Sequence, residues 1–217
     1  MAFKNLPKPE QEKLIEKWRY VLIENEEDWE EPVFEQFKSQ MLEYGIDDVK
    51  IEYSGFHSQG DGASFTGSLE NNALFFKKNW NTIGRKQQKW LDLKEVLSEI
   101  DDDFYLLSQM GAEQDEYKKT SLEDLKIDIV RDSYSRHYHS YTIKAHVELW
   151  EQTWPEEDPT PDEIKRTDQG IQNLEDQITS WARERSEQLY RELEKYFDKL
   201  TSDEAVLEWL EENFDDL

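Results

Sequence analysis

The chain has 217 residues, with 26 lysines and arginines against 51 aspartates and glutamates, so its formal net charge is −25. A charge of this size repels nucleic acid and anionic lipid, which argues against direct binding to DNA, RNA or a membrane surface. The 8 tryptophans, 10 tyrosines and 10 phenylalanines supply enough apolar surface for a core, so global disorder is not expected.

Three explanations of the acidity remain: a solvated surface, complementarity to a protein with a basic groove, or adaptation to high salt. The third is disfavoured because 18 of the 26 cationic residues are lysine and large aromatic residues are plentiful. The lack of cysteine excludes disulfides and thiolate sites. The N-terminal residues lack the apolar run of a secretory signal and no window is long enough to span a bilayer, so we expect a cytoplasmic protein.

Two helices are predicted at the start of the chain. Apolar residues at three- and four-residue spacings predict the first over residues 9–24, with Trp18 facing inward. The second is predicted over residues 32–44, after a run of acidic residues that favours a helix N-terminus. Gly45 is expected to end it.

The spacing of apolar residues then changes from a helical period to a period of two residues. Residues 49–53 and 63–69 alternate in polarity, which predicts two half-buried strands. Between them, Gly60 and Gly62 are expected to supply positive φ, so the two strands form a hairpin with a glycine-shaped turn.

A second hairpin follows a helical insertion. Residues 72–110 are predicted to be helical with a break at Gly84, and residues 111–125 to be irregular. Alternation returns over residues 127–130 and 141–149, which predicts two more strands. The fold class is therefore α+β: a four-stranded, mostly antiparallel sheet made of two hairpins, with helices packed on one face.

The C-terminal part carries the strongest helical pattern, over residues 162–200, followed by a short helix capped at residues 201–204. The stripe of Trp181, Leu189 and Tyr196 is typical of a core, although the length of the helix also allows a homodimer through it. We expect a single α+β domain over residues 1–217, with N-terminal helices (1–45), two hairpins with a helical insertion (46–154) and C-terminal helices (160–217).

The first hairpin contains the residue types of a nucleophilic triad in His57, Asp61 and Ser64. A triad needs a base fixed against the nucleophile by a third group, and a hairpin tip does not readily provide that. The alternative is that Asp61 satisfies turn amides while Ser64 lies in a strand. We favour this alternative and predict no catalytic residues.

Metal sites are disfavoured by similar reasoning. His137 and His139 point the same way from an extended chain, which suits zinc if His57 or a carboxylate joins them, yet such pairs are more often hydrogen-bonded structural residues. The run Asp101–Asp103 lacks the glycine and later ligands of a calcium loop. We therefore predict no metal and no cofactor.

Three segments carry a resemblance to a known family. The first segment, residues 46–67, includes Ser54-Gly55-Phe56-His57-Ser58-Gln59-Gly60-Asp61-Gly62. The second, residues 136–141, reads Arg-His-Tyr-His-Ser-Tyr, and the third lies within residues 189–206. Together they resemble a family of small acidic proteins encoded by tailed bacteriophages, an assignment that leaves the activity open. One departure is His57, where the family usually carries tryptophan or tyrosine.

The resemblance and the charge together predict an acidic binding protein rather than an enzyme. It is expected to inhibit a host defence nuclease or CRISPR effector in the bacterial cytosol by placing carboxylates where phosphates lie. One alternative is an antitoxin-like or regulatory partner of a basic protein, and another is a small metal-dependent enzyme using His57, Asp61, His137 and His139. The predicted partner-binding residues are His57, Gln59, Asp61, Arg136, Tyr138, His139, Glu26, Glu27, Asp28, Glu30, Glu156, Glu157 and Asp158.

Overall fold

The computed structural model describes residues 3–25, 28–94, 96–97, 120–132, 134–135, 137–149 and 160–214. They form a mixed α+β structure with a four-stranded antiparallel sheet and a long C-terminal helix, which confirms the predicted fold class. The chain divides into two compact units, one made of Met1–Phe37 with Gln188–Leu217 and the other of Lys38–Glu187.

The larger unit contains the sheet. Its strands are, in chain order, β1 (Ile46–Tyr53), β2 (Ala63–Leu69), β3 (Leu91–Asp92), β4 (Thr120–Ser121), β5 (Leu125–Arg131) and β6 (Ile143–Leu149). Four of them form the main sheet in the order β1-β2-β5-β6 with every neighbouring pair antiparallel, while β3 and β4 pair in parallel. Both predicted hairpins are therefore confirmed, and β2 and β5 join them at the centre.

Side-chain burial along the strands follows the predicted period of two. In β5, Ile127 and Ile129 are buried while Lys126 and Val130 are exposed. The register of the second hairpin places Ile127 opposite the buried Val147 of β6. The alternation arises because successive side chains of a strand point to opposite faces.

The edge strand β6 is closed by the helix α6 (Pro161–Leu200). The Ala145 N–H donates to Thr179 Oγ1 at 2.8 Å, and the Val147 N–H donates to Glu175 Oε1 at 3.0 Å. An edge strand exposes main-chain groups that can pair with another chain. On β6, side chains of α6 already satisfy two of these groups.

The insertion between the hairpins departs from the predicted helix over residues 72–110. It contains α4 (Asn72–Lys78), a π-helical turn (Trp80–Gly84) and α5 (Arg85–Gln87). The break predicted at Gly84 falls at the end of the π-helical turn, where a Cβ on Gly84 would lie 2.7 Å from Trp80 Cε3. A larger residue therefore does not fit there without displacing the indole ring.

The helix prediction is wrong at Leu91–Asp92, which form strand β3. Tertiary contacts explain the difference, because Leu91 and Asp92 pair with Thr120 and Ser121, and the ring of the preceding, buried Trp90 covers Gly170. These long-range contacts override the local helical propensity. The predicted helix beyond Leu97 lies outside the described residues.

The smaller unit is helical and joins the two ends of the chain. Its helices are α1 (Lys8–Lys17), α2 (Val21–Asn25), the start of α3 (Glu31–Glu43), the end of α6 and α7 (Asp203–Asn213). Its core contains the buried residues Phe3, Ile15, Val206 and Leu210. The predicted cap of α7 is confirmed, since Ser202 Oγ accepts the Ala205 N–H at 3.2 Å.

The predicted first helix over residues 9–24 is divided into α1 and α2. At the turn between them, Arg19 donates to the Thr201 carbonyl at 3.0 Å and forms an ion pair with Asp203 at 2.8 Å. These contacts, of which the one to Thr201 spans 182 residues of sequence, fix the chain where a continuous helix was expected.

The stripe on α6 is part of the core, as the sequence favoured. Trp181 and Leu189 are buried, and Tyr196 stacks on Trp29 with ring centroids 6.2 Å apart. A homodimer through this helix stays a prediction.

Candidate functional site

The first hairpin connection, residues 54–62, is held by its own hydrogen bonds. The Ser54 N–H donates to the Gly62 carbonyl at 3.0 Å, and the Ser58 N–H donates to Asp61 Oδ2 at 2.6 Å. The structural role predicted for Asp61, satisfying a turn amide, is therefore confirmed. We call this connection the first tip.

Positive φ in the first tip is distributed differently from the prediction. Gly60 has φ +97°, as expected, but Gly62 does not have positive φ, and His57 takes the second such position with φ +79°. A histidine in the left-handed region is uncommon and costs backbone strain. The His57 side chain is exposed at the end of the hairpin.

The second connection also contains local bonds, and we call its described residues, 132, 134–135 and 137–142, the second tip. The Asp132 N–H donates to the Thr142 carbonyl at 2.9 Å, and the Tyr134 N–H donates to Asp132 Oδ1 at 3.0 Å. His139 caps the short 3₁₀ helix Ser140–Thr142, because its Nδ1 accepts the Tyr141 N–H at 3.4 Å.

The two tips contact each other at the glycines of the first. A Cβ on Gly60 would lie 3.1 Å from His137 Nδ1, and a Cβ on Gly62 would lie 2.7 Å from the Tyr138 carbonyl oxygen. The Gly62 Cβ would also lie 3.1 Å from His139 Cα. Glycine is therefore needed at residue 62 for close approach rather than for its backbone angle.

Charged and aromatic contacts brace the second tip. Arg131 bonds Glu52 of β1 at 2.8 Å and places its guanidinium 4.8 Å from the ring centre of Tyr138. Arg183 of α6 donates to the Tyr141 carbonyl at 2.9 Å. The tips are thus tied to β1 and to α6, and their joint surface is ordered by contacts from several elements.

The protein-family comparison bears on the same region. Residues 29–203 match a family described as a domain of unknown function, DUF8835. The chain belongs to the DUF8835 family. The match includes both tips, β1 to β6 and α6, and it carries no activity with it. No curated protein matches the chain, and no solved structure matches it.

The structure brings together only some of the predicted partner-binding residues. His57, Gln59, Asp61, Tyr138 and His139 belong to the two tips, whereas Asp28 and Glu30 lie in the smaller unit, in the turn before α3. The other predicted residues lie outside the described ones: Arg136, Glu26, Glu27, Glu156, Glu157 and Asp158.

Three residues of the tip surface are absent from the predicted partner-binding residues. His137 lies against Gly60, and Tyr134 and Tyr141 are exposed at 95% and 54%. Their presence in a polar, aromatic connection was the available signal. What the sequence did not show was which rings face solvent and which pack on the first tip.

The residues of the predicted triad, His57, Asp61 and Ser64, are not arranged for nucleophilic catalysis. Ser64 is 1% exposed within β2, and the Asp61 carboxylate accepts a main-chain N–H instead of orienting a histidine. Across the residues that the structure describes, there is no group of three or more histidine, cysteine or carboxylate side chains able to hold a metal. The Asp101–Asp103 run lies outside those residues.

A polar cleft of about 470 Å³ lies at the other end of β2, between the start of α4 and the start of β5. Its lining includes Glu70, Asn72, Lys126 and Asp128. Burial alone favours a raised pKa for Asp128, but hydrogen bonds from Ser68 and Lys126 lower that pKa below its ordinary value. Lys126 Nζ is 3.0 Å from Asp128 Oδ2, so these two charges in the cleft are already paired.

Within the described part of the chain, no helix combines the length and the apolar character needed to cross a membrane.

Proposed function

We propose that the chain is a binding protein of a tailed bacteriophage that inhibits a host defence nuclease or CRISPR effector. It acts in the bacterial cytosol by occupying the basic surface on which that protein holds nucleic acid. The observation that carries the proposal is the contact between the two tips, in which His137, Tyr138 and His139 pack against Gly60 and Gly62.

The contact favours binding because it orders a protruding surface in advance. Two connections separated by 70 residues in sequence support each other and leave His57, Gln59 and His137 exposed. A surface ordered before association loses less conformational entropy when the partner binds. Loops held on a rigid sheet are also a common location of binding residues.

The net charge of −25 favours a basic partner. Opposite charge on the two proteins accelerates their encounter, and proteins that bind nucleic acid carry lysine- and arginine-rich surfaces. The resemblance of residues 46–67 and 136–141 to a phage family supports a target in the infected cell. The two resembling segments are the ones that meet at the tips.

Affinity capture from phage-infected cells tests the proposal. A tagged chain is expected to recover a nuclease or a CRISPR effector and to inhibit its cleavage of DNA or RNA. Because the contact is electrostatic, the inhibition constant should rise roughly tenfold or more when salt is raised from about 50 to about 200 mM. Recovery of a toxin instead supports the antitoxin-like alternative, and salt-independent inhibition contradicts occupation of a basic surface.

Two charge-matched variants locate the contact. Gln59→Lys adds one positive charge on the first tip, while Gln169→Lys adds the same charge on the exposed surface of α6. Both change the net charge equally, so only the position differs. Inhibition is expected to weaken more in Gln59→Lys than in Gln169→Lys, and equal weakening removes the tips from the interface.

A further inference from the structure

Several aromatic rings in the described part of the chain lie beside cations of the chain itself. In these pairs the cation is within 6 Å of a ring centre: Lys17 with Trp18, Lys78 with Tyr44, Arg131 with Tyr138, Arg185 with Trp181, and Lys199 with Tyr196. A ring face attracts a cation through its quadrupole. These pairs show that ring faces in this acidic chain favour positive side chains.

Two rings on the second tip differ from these. Tyr134 is 95% exposed and Tyr141 is 54% exposed, and no lysine or arginine of the described part of the chain covers either ring. Tyr141 is backed by His139, with ring centroids 4.5 Å apart. Large exposed rings of this kind are enriched at protein interfaces.

The two tyrosines belong to one ordered part of the surface. The Tyr134 N–H donates to Asp132 Oδ1, and the Asp132 N–H donates to the carbonyl of Thr142, the residue after Tyr141. Two carboxylates bond main-chain or neighbouring groups of the same part of the surface: Asp132 accepts the main-chain N–H of Tyr134, and Glu187 accepts the hydroxyl of Ser140, the residue before Tyr141, at 3.3 Å. An aromatic face beside a carboxylate matches a guanidinium, which stacks and pairs at once.

We propose that Tyr134 and Tyr141 are the anchors of the interface and receive arginine side chains of a basic protein partner. This inference rests on the proposed function and names the chemistry of its contact. Arginine is favoured over lysine because the planar guanidinium is more weakly hydrated and stacks on aromatic rings.

The test uses the full chain with ¹³C-labelled tyrosine rings and hexa-arginine amide as the probe. Titration is expected to shift the ring signals of Tyr134 and Tyr141 more than that of Tyr20, whose exposure of 52% matches the 54% of Tyr141. Equal shifts at all three rings mean diffuse attraction to an acidic chain, and they overturn the proposal.

Leucine and phenylalanine variants then separate the contribution of the aromatic ring to binding from that of apolar surface area. Tyr134→Leu and Tyr141→Leu should each weaken hexa-arginine binding roughly two- to fivefold by calorimetry, whereas the phenylalanine variants and Tyr20→Leu should bind as the unmodified chain does. All these side chains are exposed, so thermal unfolding should be unchanged and confirm an intact fold. Unchanged affinity in both leucine variants overturns the proposal.

The failures of the two proposals are distinguishable. If capture recovers a basic partner that binds both leucine variants normally, the proposed function stands and the anchor assignment is wrong. If capture recovers no basic partner while hexa-arginine still selects the two rings, the anchor chemistry stands and the proposed function is wrong.

Discussion

Replacing Gly62 by alanine perturbs the contact between the two tips with a single methyl group. The new Cβ would lie 2.7 Å from the Tyr138 carbonyl oxygen and 3.1 Å from His139 Cα, both of them main-chain atoms. Main-chain atoms cannot swing aside as a side chain does, so the tips must separate. Because Gly62 does not have positive φ, the effect is steric and not a matter of backbone preference.

The magnitude follows from two opposing contributions. Inserting a methyl group into a filled contact destabilises the fold by about 1–3 kcal/mol. Alanine also lowers the conformational entropy of the unfolded chain, which offsets about 0.4–1 kcal/mol of that loss. We expect a net loss of about 1–2 kcal/mol in the free energy of unfolding of the larger unit. For a chain of this size that lowers Tm by roughly 2–8 °C.

Gly55→Ala is the matched control, since a Cβ on Gly55 meets nothing within 4 Å although Gly55 lies in the same connection. The assay is thermal unfolding combined with hydrogen exchange of peptides from both tips. Gly62→Ala should speed exchange in the first and the second tip, while Gly55→Ala should leave both unchanged. Identical Tm and identical exchange in the two variants would refute the close contact.

Two further predictions concern the sheet and its cleft. Thr179→Ala removes the acceptor of the Ala145 N–H, so we expect a loss of about 1 kcal/mol and faster exchange of that amide; unchanged exchange contradicts closure of the edge. The pKa of Asp128 is lowered in the folded state, so the ionised carboxylate stabilises the fold. This contribution is present above the ordinary pKa of 3.8 and is lost as the pH falls below that value. Acid unfolding below about pH 4 should therefore be shallower in Asp128→Asn, and an identical profile contradicts this.

Local patterns in the sequence were sufficient for much of the fold. Both hairpins follow from an alternation that each strand carries in itself, and α6 follows from a helical period sustained over many turns. The cap of α7 at Ser202 depends on neighbouring residues only. Each of these features is decided by the residues of its own segment, which is why one sequence is enough to predict it.

The features that sequence reasoning missed depend on distant partners. Strand β3 exists because Thr120–Ser121 pairs with it, and the division between α1 and α2 depends on the contact of Arg19 with Thr201. Neither partner can be read from a local period.

The candidate site shows the same limit. Gly60 was predicted correctly because positive φ is a local property of a turn. Gly62 was assigned the wrong role because its contact lies with Tyr138, in the other hairpin. The exposure of Tyr134 and Tyr141 is a property of the folded surface that a local pattern does not carry. The sequence therefore indicated the two segments of the site but not how they combine into one surface.

Photo-crosslinking in infected cells tests the central claim most directly. A photoreactive residue is placed at Gln59 on the first tip and, as the control, at Gln169 on the exposed surface of α6. We predict a crosslink from residue 59, and not from residue 169, to a lysine- and arginine-rich segment of a nucleic-acid-binding protein. A crosslink from residue 169 alone, or one from residue 59 to a surface without basic residues, would contradict binding of a basic partner through the tips.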